Sequence, residues 1–200
     1  MILFQSALSG LAGSFTMEKE KSLYFYALVP PEEIRSLVTG IKMDFKRRYD
    51  AEHALKSPAH ITLIPPFFHN RSEEIELIDK LNEFSSDEGS FEQELEGFGT
   101  FPRGVIYIIV KESVPLVELH RRLEKFLLEK IPTSRIRKDT RKFHPHMTVA
   151  FKDLSRENFH RARKEYIDKH LCFSFNVESV SLLRHNGRYW EIIHEAPFNS

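Results

Sequence analysis

Apolar and polar positions along the chain alternate between two periods. Leu23 to Val29 is a continuous apolar run closed by Pro30-Pro31, which predicts a buried strand. Pro31-Glu32-Glu33 then opens a helix, with proline in its first turn and acids near its positive end. Ile34, Leu37, Val38, Ile41 and Phe45 give that helix an apolar stripe. His60 to Ile64 predicts a central strand stopped by Pro65-Pro66. A second helix starts at Ser72-Glu73-Glu74, with Ile75, Ile78 and Leu81 on its inner face. Phe91 to Phe98 predicts another strand, and Val105 to Val110 a central one.

The order then repeats. Pro115 opens a helix with Leu116, Leu119, Leu123, Phe126 and Leu127 inward. His146 to Phe151 predicts a strand. Ser155 to Lys169 predicts a helix with Phe159, Ala162 and Tyr166 inward. Strands follow over Leu171 to Val177, Val180 to Leu183 and, after an Asn186-Gly187 turn, Arg188 to His194. Five successive elements recur at offsets of 82 to 86 residues. The fold class this predicts is α+β: two duplicated β-α-β-α-β lobes of ferredoxin-like type, mainly antiparallel, flanking a central cleft. Each lobe is too small to be stable alone, so residues 17–200 are expected to form one bilobal unit, with the lobes exchanging near 100–115. Residues 1–16 are apolar and lack Lys and Arg. They are expected to be a leader or extension outside the fold, ahead of a start at Met17.

Composition narrows the function. The chain has 200 residues, with 29 Lys+Arg against 29 Asp+Glu. A broad polyanion coat is therefore excluded, because it needs a cationic surplus. The charge is nevertheless uneven: residues 73–96 carry a net −9, and residues 133–152 a net +5. The basic block leads into the second lobe's strand and reads as a funnel for an anion. With a single cysteine, Cys172, no internal disulfide forms and a reducing, cytoplasmic setting is expected. Cys172 lies in an apolar strand and is expected to be buried. No stretch reaches the roughly 20 apolar residues of a membrane span. Gly97-Phe98-Gly99 lacks the spacing of a nucleotide-binding loop, and no cofactor is implied.

The chemistry sits at equivalent places in the two lobes. One strand carries His60-Ile61-Thr62-Leu63 and the other His146-Met147-Thr148-Val149. In a strand, positions i and i+2 share a face, so each His and Thr look the same way while the apolar pair looks toward the helices. Two facing imidazoles supply a general base and a general acid near neutral pH. Two hydroxyls beside them donate to an anion without adding charge. That set suits in-line attack on a phosphodiester, and the chemistry requires no metal. Duplication leaves the polarity open, with a slight preference for His146 as base and His60 as acid. The H-P-H pair of His144 and His146 lacks a third ligand, so no metal site is expected, and His144 is a candidate helper in the cleft. Tyr26, Phe67 and Phe151 are candidates to stack on a base. Arg103 and Arg184 are candidates to clamp a phosphate.

SPAHITLIPPF, FHPHMTVAF and the duplicated lobes resemble the two-histidine (2H) phosphoesterase superfamily. Within it, they resemble the 2′-5′ RNA ligase-like and RNA 2′,3′-cyclic phosphodiesterase group. SLYFYALVPP and GFGTFPRGVIYIIV also look like family segments. The resemblance covers residues 17–200 and puts the family's two His and two Thr on His60, Thr62, His146 and Thr148. Many members carry an Arg shortly after the second motif, where this chain has Phe151. The resemblance implies a hydrolase acting on an RNA end or small nucleotide with a cyclic phosphate, without an obligate protein or membrane partner. The alternatives are 2′-5′ RNA ligation at the same site and a non-catalytic nucleotide- or RNA-binding module.

Overall fold

A computed structural model describes residues 20–102, 104–131, 136–138 and 140–199. The expected leader, Met17 and Arg103 lie outside the described residues. The chain runs β1 (Lys21–Leu28), α1 (Glu32–Tyr49), β2 (Ile61–Asn70), α2 (Glu74–Ser85), β3 (Phe91–Phe101) and β4 (Val105–Val110). It continues with α3 (Val114–Lys130), β5 (His146–Ala150), α4 (Arg156–Tyr166), β6 (Cys172–Val177), β7 (Ser179–His185) and β8 (Trp190–Pro197). Short 3₁₀ turns precede β2, at His53–Lys56, and α2, at Arg71–Glu73.

Among the described residues, eight strands form two antiparallel four-stranded sheets, ordered β2-β1-β7-β8 and β5-β4-β3-β6. The α+β class and the antiparallel sheets agree with the sequence pattern. The partition of strands is finer than two consecutive halves. β3 and β6, which the repeat makes equivalent, lie side by side in the second sheet. The helices also cross over: α1 packs on β5 of the second sheet, and α3 on β2 of the first. α1 is tied to α4 as well, with Tyr166 Oη donating to Asp44 at 2.6 Å and Tyr49 Oη to Glu165 at 2.7 Å. Neither sheet can bury its apolar face without elements from the other half, so one core spans both.

Several local expectations are corrected. β2 and β5 are edge strands, not central ones. For the same reason Pro65-Pro66 does not stop β2, which runs on to Asn70. An edge strand tolerates missing donors, and the register slips there, Tyr24 opposing Phe67 but Tyr26 opposing Ile64. On α2 the buried face is Leu77, Leu81 and Phe84, while Ile75 is 63% exposed. The α1 stripe buries Ile34, Val38 and Phe45 and also takes in a lysine, Lys42. Cys172 is exposed rather than buried, because its strand β6 is an edge.

Candidate active site

The two edge strands β2 and β5 meet across the cleft, and their alternation delivers the expected faces. Ile61, Leu63, Met147 and Val149 are buried. His60, Thr62, His146 and Thr148 are half-exposed on the other side. The cleft has two chambers. The larger, about 710 Å³, is lined by His60, Thr62 and Thr148 together with Phe25, Phe151 and Trp190. The smaller, about 350 Å³, is lined by Thr62, His144, His146, Phe101 and Phe143. Thr62 belongs to both walls, so the four motif residues bracket the junction.

Each imidazole is held the same way. His60 Nδ1 lies 2.8 Å from the Pro58 carbonyl, and His146 Nδ1 lies 2.7 Å from the His144 carbonyl. A carbonyl only accepts, so in both rings Nδ1 carries the proton and Nε2 is left for the cleft. Each ring also rests on aromatics from a neighbouring strand. Phe25 is 4.9 Å from His60 between centroids, and Phe101 is 4.8 Å from His146 at right angles. Tyr107 completes the second wall, 5.3 Å from His146, and its hydroxyl is 3.3 Å from His144 Nε2. A side chain at Gly99 would meet the Tyr107 ring at 2.6 Å, so only glycine lets that ring lie where it does.

The two histidines differ electrostatically. The His60 imidazole is pushed down to about 4, chiefly by burial, against the Pro58 bond that raises it and with smaller lowering contributions from the nearby Lys42 ammonium and His146. His146 is also lowered by burial, then by His144, against the raising effect of its carbonyl bond. Among the described residues, Lys42 has no counterpart behind the second strand. It is 2% exposed, and its ammonium donates to the Ser57 carbonyl at 2.9 Å. Desolvation pushes it down to about 8.

The remaining sequence candidates separate. Phe151 lines the larger chamber. Tyr26 is fully buried, its hydroxyl donating to the Leu77 carbonyl at 3.4 Å, with its pKa raised by burial. Phe67 stacks on it, with centroids 5.8 Å apart. Neither lines either chamber, because both point to the helix side of the first sheet. Arg184 is held by Glu74 at 2.6 Å and by Glu191 at 3.8 Å. His144 stands beside His146, centroids 6.4 Å apart, in the smaller chamber. Among the described residues, the His/Glu cluster with ligand spacing is His69, Glu73 and Glu76, at the β2–α2 junction outside both chambers. Sequence reasoning missed Phe25, Tyr107, Trp190, Lys42 and Lys56. Phe25 and Tyr107 sit in the family-like segments SLYFYALVPP and GFGTFPRGVIYIIV, which was the available signal.

The 2′-5′ RNA ligase superfamily signature matches residues 30–188, and the chain belongs to that family of 2H phosphoesterases. No curated protein sequence matches it. Among solved structures it is similar to TT0787 of Thermus thermophilus, at 18% identity and a TM-score of 0.66, covering 88% of this chain and 97% of that one. It is also similar to E. coli LigT complexed with 3′-AMP, at 15% identity and a TM-score of 0.64, covering 90% and 100%. The same fold is seen in apo E. coli LigT, at 16% identity and a TM-score of 0.61, covering 90% and 99%. No helix among the described residues is long and apolar enough to cross a membrane.

Proposed function

We propose that the chain is a metal-independent phosphodiesterase that hydrolyses a 2′,3′-cyclic phosphate, or a related phosphodiester, of RNA or a small nucleotide. The observation that carries this reading is the matched pair of imidazoles. Each is pinned through Nδ1 with Nε2 toward the cleft, next to a threonine hydroxyl. E. coli LigT has been solved with 3′-AMP, ATP, NADP+ and phosphate, which supports a small-nucleotide ligand for this cleft.

In this reading the reacting phosphate sits at the chamber junction. Thr62 and Thr148 donate to its non-bridging oxygens and hold them without adding fixed charge. One neutral imidazole takes a proton from water through Nε2, and the hydroxide formed attacks phosphorus in line. The bond from phosphorus to the opposite sugar oxygen breaks. The second, protonated imidazole gives that oxygen its proton, leaving a phosphomonoester and a free hydroxyl.

Electrostatics favours His60 as base and His146 as acid, the reverse of the preference drawn from sequence. His60 is the more strongly desolvated, and the buried Lys42 ammonium opposes its protonation. His146 is lowered too, by burial and by His144, but among the described residues no buried cation stands behind it to oppose its protonation. The test is a panel of 2′,3′-cyclic nucleotides, cyclic-ended oligonucleotides and 2′-5′ linkages, with products identified and chelator present. Turnover of the cyclic substrates to phosphomonoesters is expected. Joining of RNA ends, or tight binding without turnover, would replace this reading.

A further inference from the structure

Three cations from separate segments face the larger chamber. Lys56 comes from the 3₁₀ turn before β2, Lys152 from the segment after β5, and Arg188 from the β7–β8 turn. Among the described residues, no Asp or Glu lines this chamber. Among them, too, none of the three cations pairs with a carboxylate, although most cations on α1 and α3 do. The acid next to Lys152 in sequence, Asp153, is engaged by the backbone N–H groups of Glu52 and His53 at 2.9 and 2.7 Å.

Two further observations set this wall apart. Lys152 has φ 60°, the left-handed region that a β-carbon disfavours, and shares that state only with Asp50 among the described non-glycine residues. Its ammonium lies 5.5 Å from the Phe151 centroid, on the chamber wall. The local field is also felt by a neighbour: His53 is held below the usual histidine range by burial, then by Lys152 and Lys56.

A single phosphodiester carries one negative charge, and the four motif residues already suit it. Lys152 and Arg188 rest over aromatic rings, Phe151 and Tyr189, so three cations on a wall without a carboxylate leave positive charge for an added anion to neutralise. The chain's overall charge is zero, so the wall is not a sample of a generally basic surface. We infer that Lys56, Lys152 and Arg188 form a subsite for a second, non-reacting phosphate of a nucleotide substrate. The substrate class is then a nucleoside with a phosphate at the reacting centre and another farther along, as in the end of an RNA strand. This inference rests on the phosphodiesterase reading of the cleft.

Calorimetry separates the two. A nucleoside 3′,5′-bisphosphate should bind wild-type protein at least about tenfold more tightly than the 3′-monophosphate, as charge-assisted bonds to a second phosphate allow. The K56M/K152M/R188M variant should bring the two ligands within about twofold, whereas K125M, on the outer surface of α3, should keep the preference. Circular dichroism establishes that the triple variant is folded. If it is not, K56M and R188M singly must each reduce the preference. A dinucleotide carrying a 3′-phosphate adds the source: binding as tight as the bisphosphate points to a strand, and tightness confined to the bisphosphate points to a free nucleotide. Equal affinity for mono- and bisphosphate in wild type, or a preference untouched by the variants, overturns the subsite alone. No binding of any nucleotide overturns the cleft reading and this inference with it.

Discussion

Lys42 donates its buried ammonium to the Ser57 carbonyl at 2.9 Å, one peptide before the carbonyl that holds the His60 ring. Among the described residues, nothing equivalent stands behind His146. The duplicated site is therefore symmetric in its imidazole bonds and asymmetric in the charge behind them. That asymmetry bears on the His60 titration directly. Replacing Lys42 with methionine keeps the length and removes the charge, so the His60 pKa should rise from about 4 toward the usual histidine value. NMR titration of the His60 ring reads this. The fold should survive, since exchanging a buried unpaired charge for an apolar chain is often neutral or stabilising.

Polarity is read by changing the leaving group. With an activated p-nitrophenyl phosphodiester the departing oxygen needs no proton. His146→Ala should then recover most of its loss of turnover, and His60→Ala should not. The opposite pattern would restore His146 as base.

The threonines are predicted to act on the transition state. Thr62→Val and Thr148→Val keep the β-branched shape on the strand. Each should lower kcat by roughly 100- to 1,000-fold, the range seen when one donor to a developing oxyanion is lost. Steady-state kinetics on a cyclic nucleotide, with Tm as control, checks this. A loss confined to KM would mean ground-state binding only.

Folding stability should depend on the same histidine. His60 titrates lower in the folded protein, at about 4, than in the unfolded chain, near 6.5. As pH falls, the unfolded chain takes up the proton first. Stability is thus full above about pH 6.5 and is lost progressively toward pH 4, by up to ~3 kcal/mol for this one group. Urea unfolding at pH 7 and pH 4.5 should show the drop, and His60→Asn should shrink it.

Gly99 offers a test away from the reacting groups. Gly99→Ala puts a β-carbon 2.6 Å from the Tyr107 ring, which packs against His146. The ring must move, so activity should fall and Tm should drop, while Gly99→Ala combined with Tyr107→Leu should regain stability.

The sequence carried the reacting groups because strand alternation and duplication are local signals. His60-Ile61-Thr62-Leu63 and His146-Met147-Thr148-Val149 each declare a face without reference to the rest of the chain. Helix ranges were legible for the same reason, from Pro31 and Pro115 at their starts. The sheet partition was not, since nothing in β3 or β6 says which sheet edge it joins. Tyr26 and Phe67 were placed by neighbourhood to the motifs, yet alternation turns both toward the core. The basic block at 133–152 suggested a funnel, but of its cations among the described residues Lys152 alone lines the larger chamber, whereas Arg141 and Lys142 line the smaller one. Lys56 and Arg188 lie more than a hundred residues apart in sequence, so only the fold shows that they share a wall with Lys152.

The most direct measurement is turnover of a 2′,3′-cyclic nucleotide by His60→Ala, His146→Ala and the double variant, in the presence of chelator. The account predicts that each single variant loses roughly 10²–10⁴-fold in kcat, and that the double variant is little worse than the weaker single, because the pair acts as a unit. Near wild-type turnover in either single variant, or wild-type activity abolished by chelator, would contradict it.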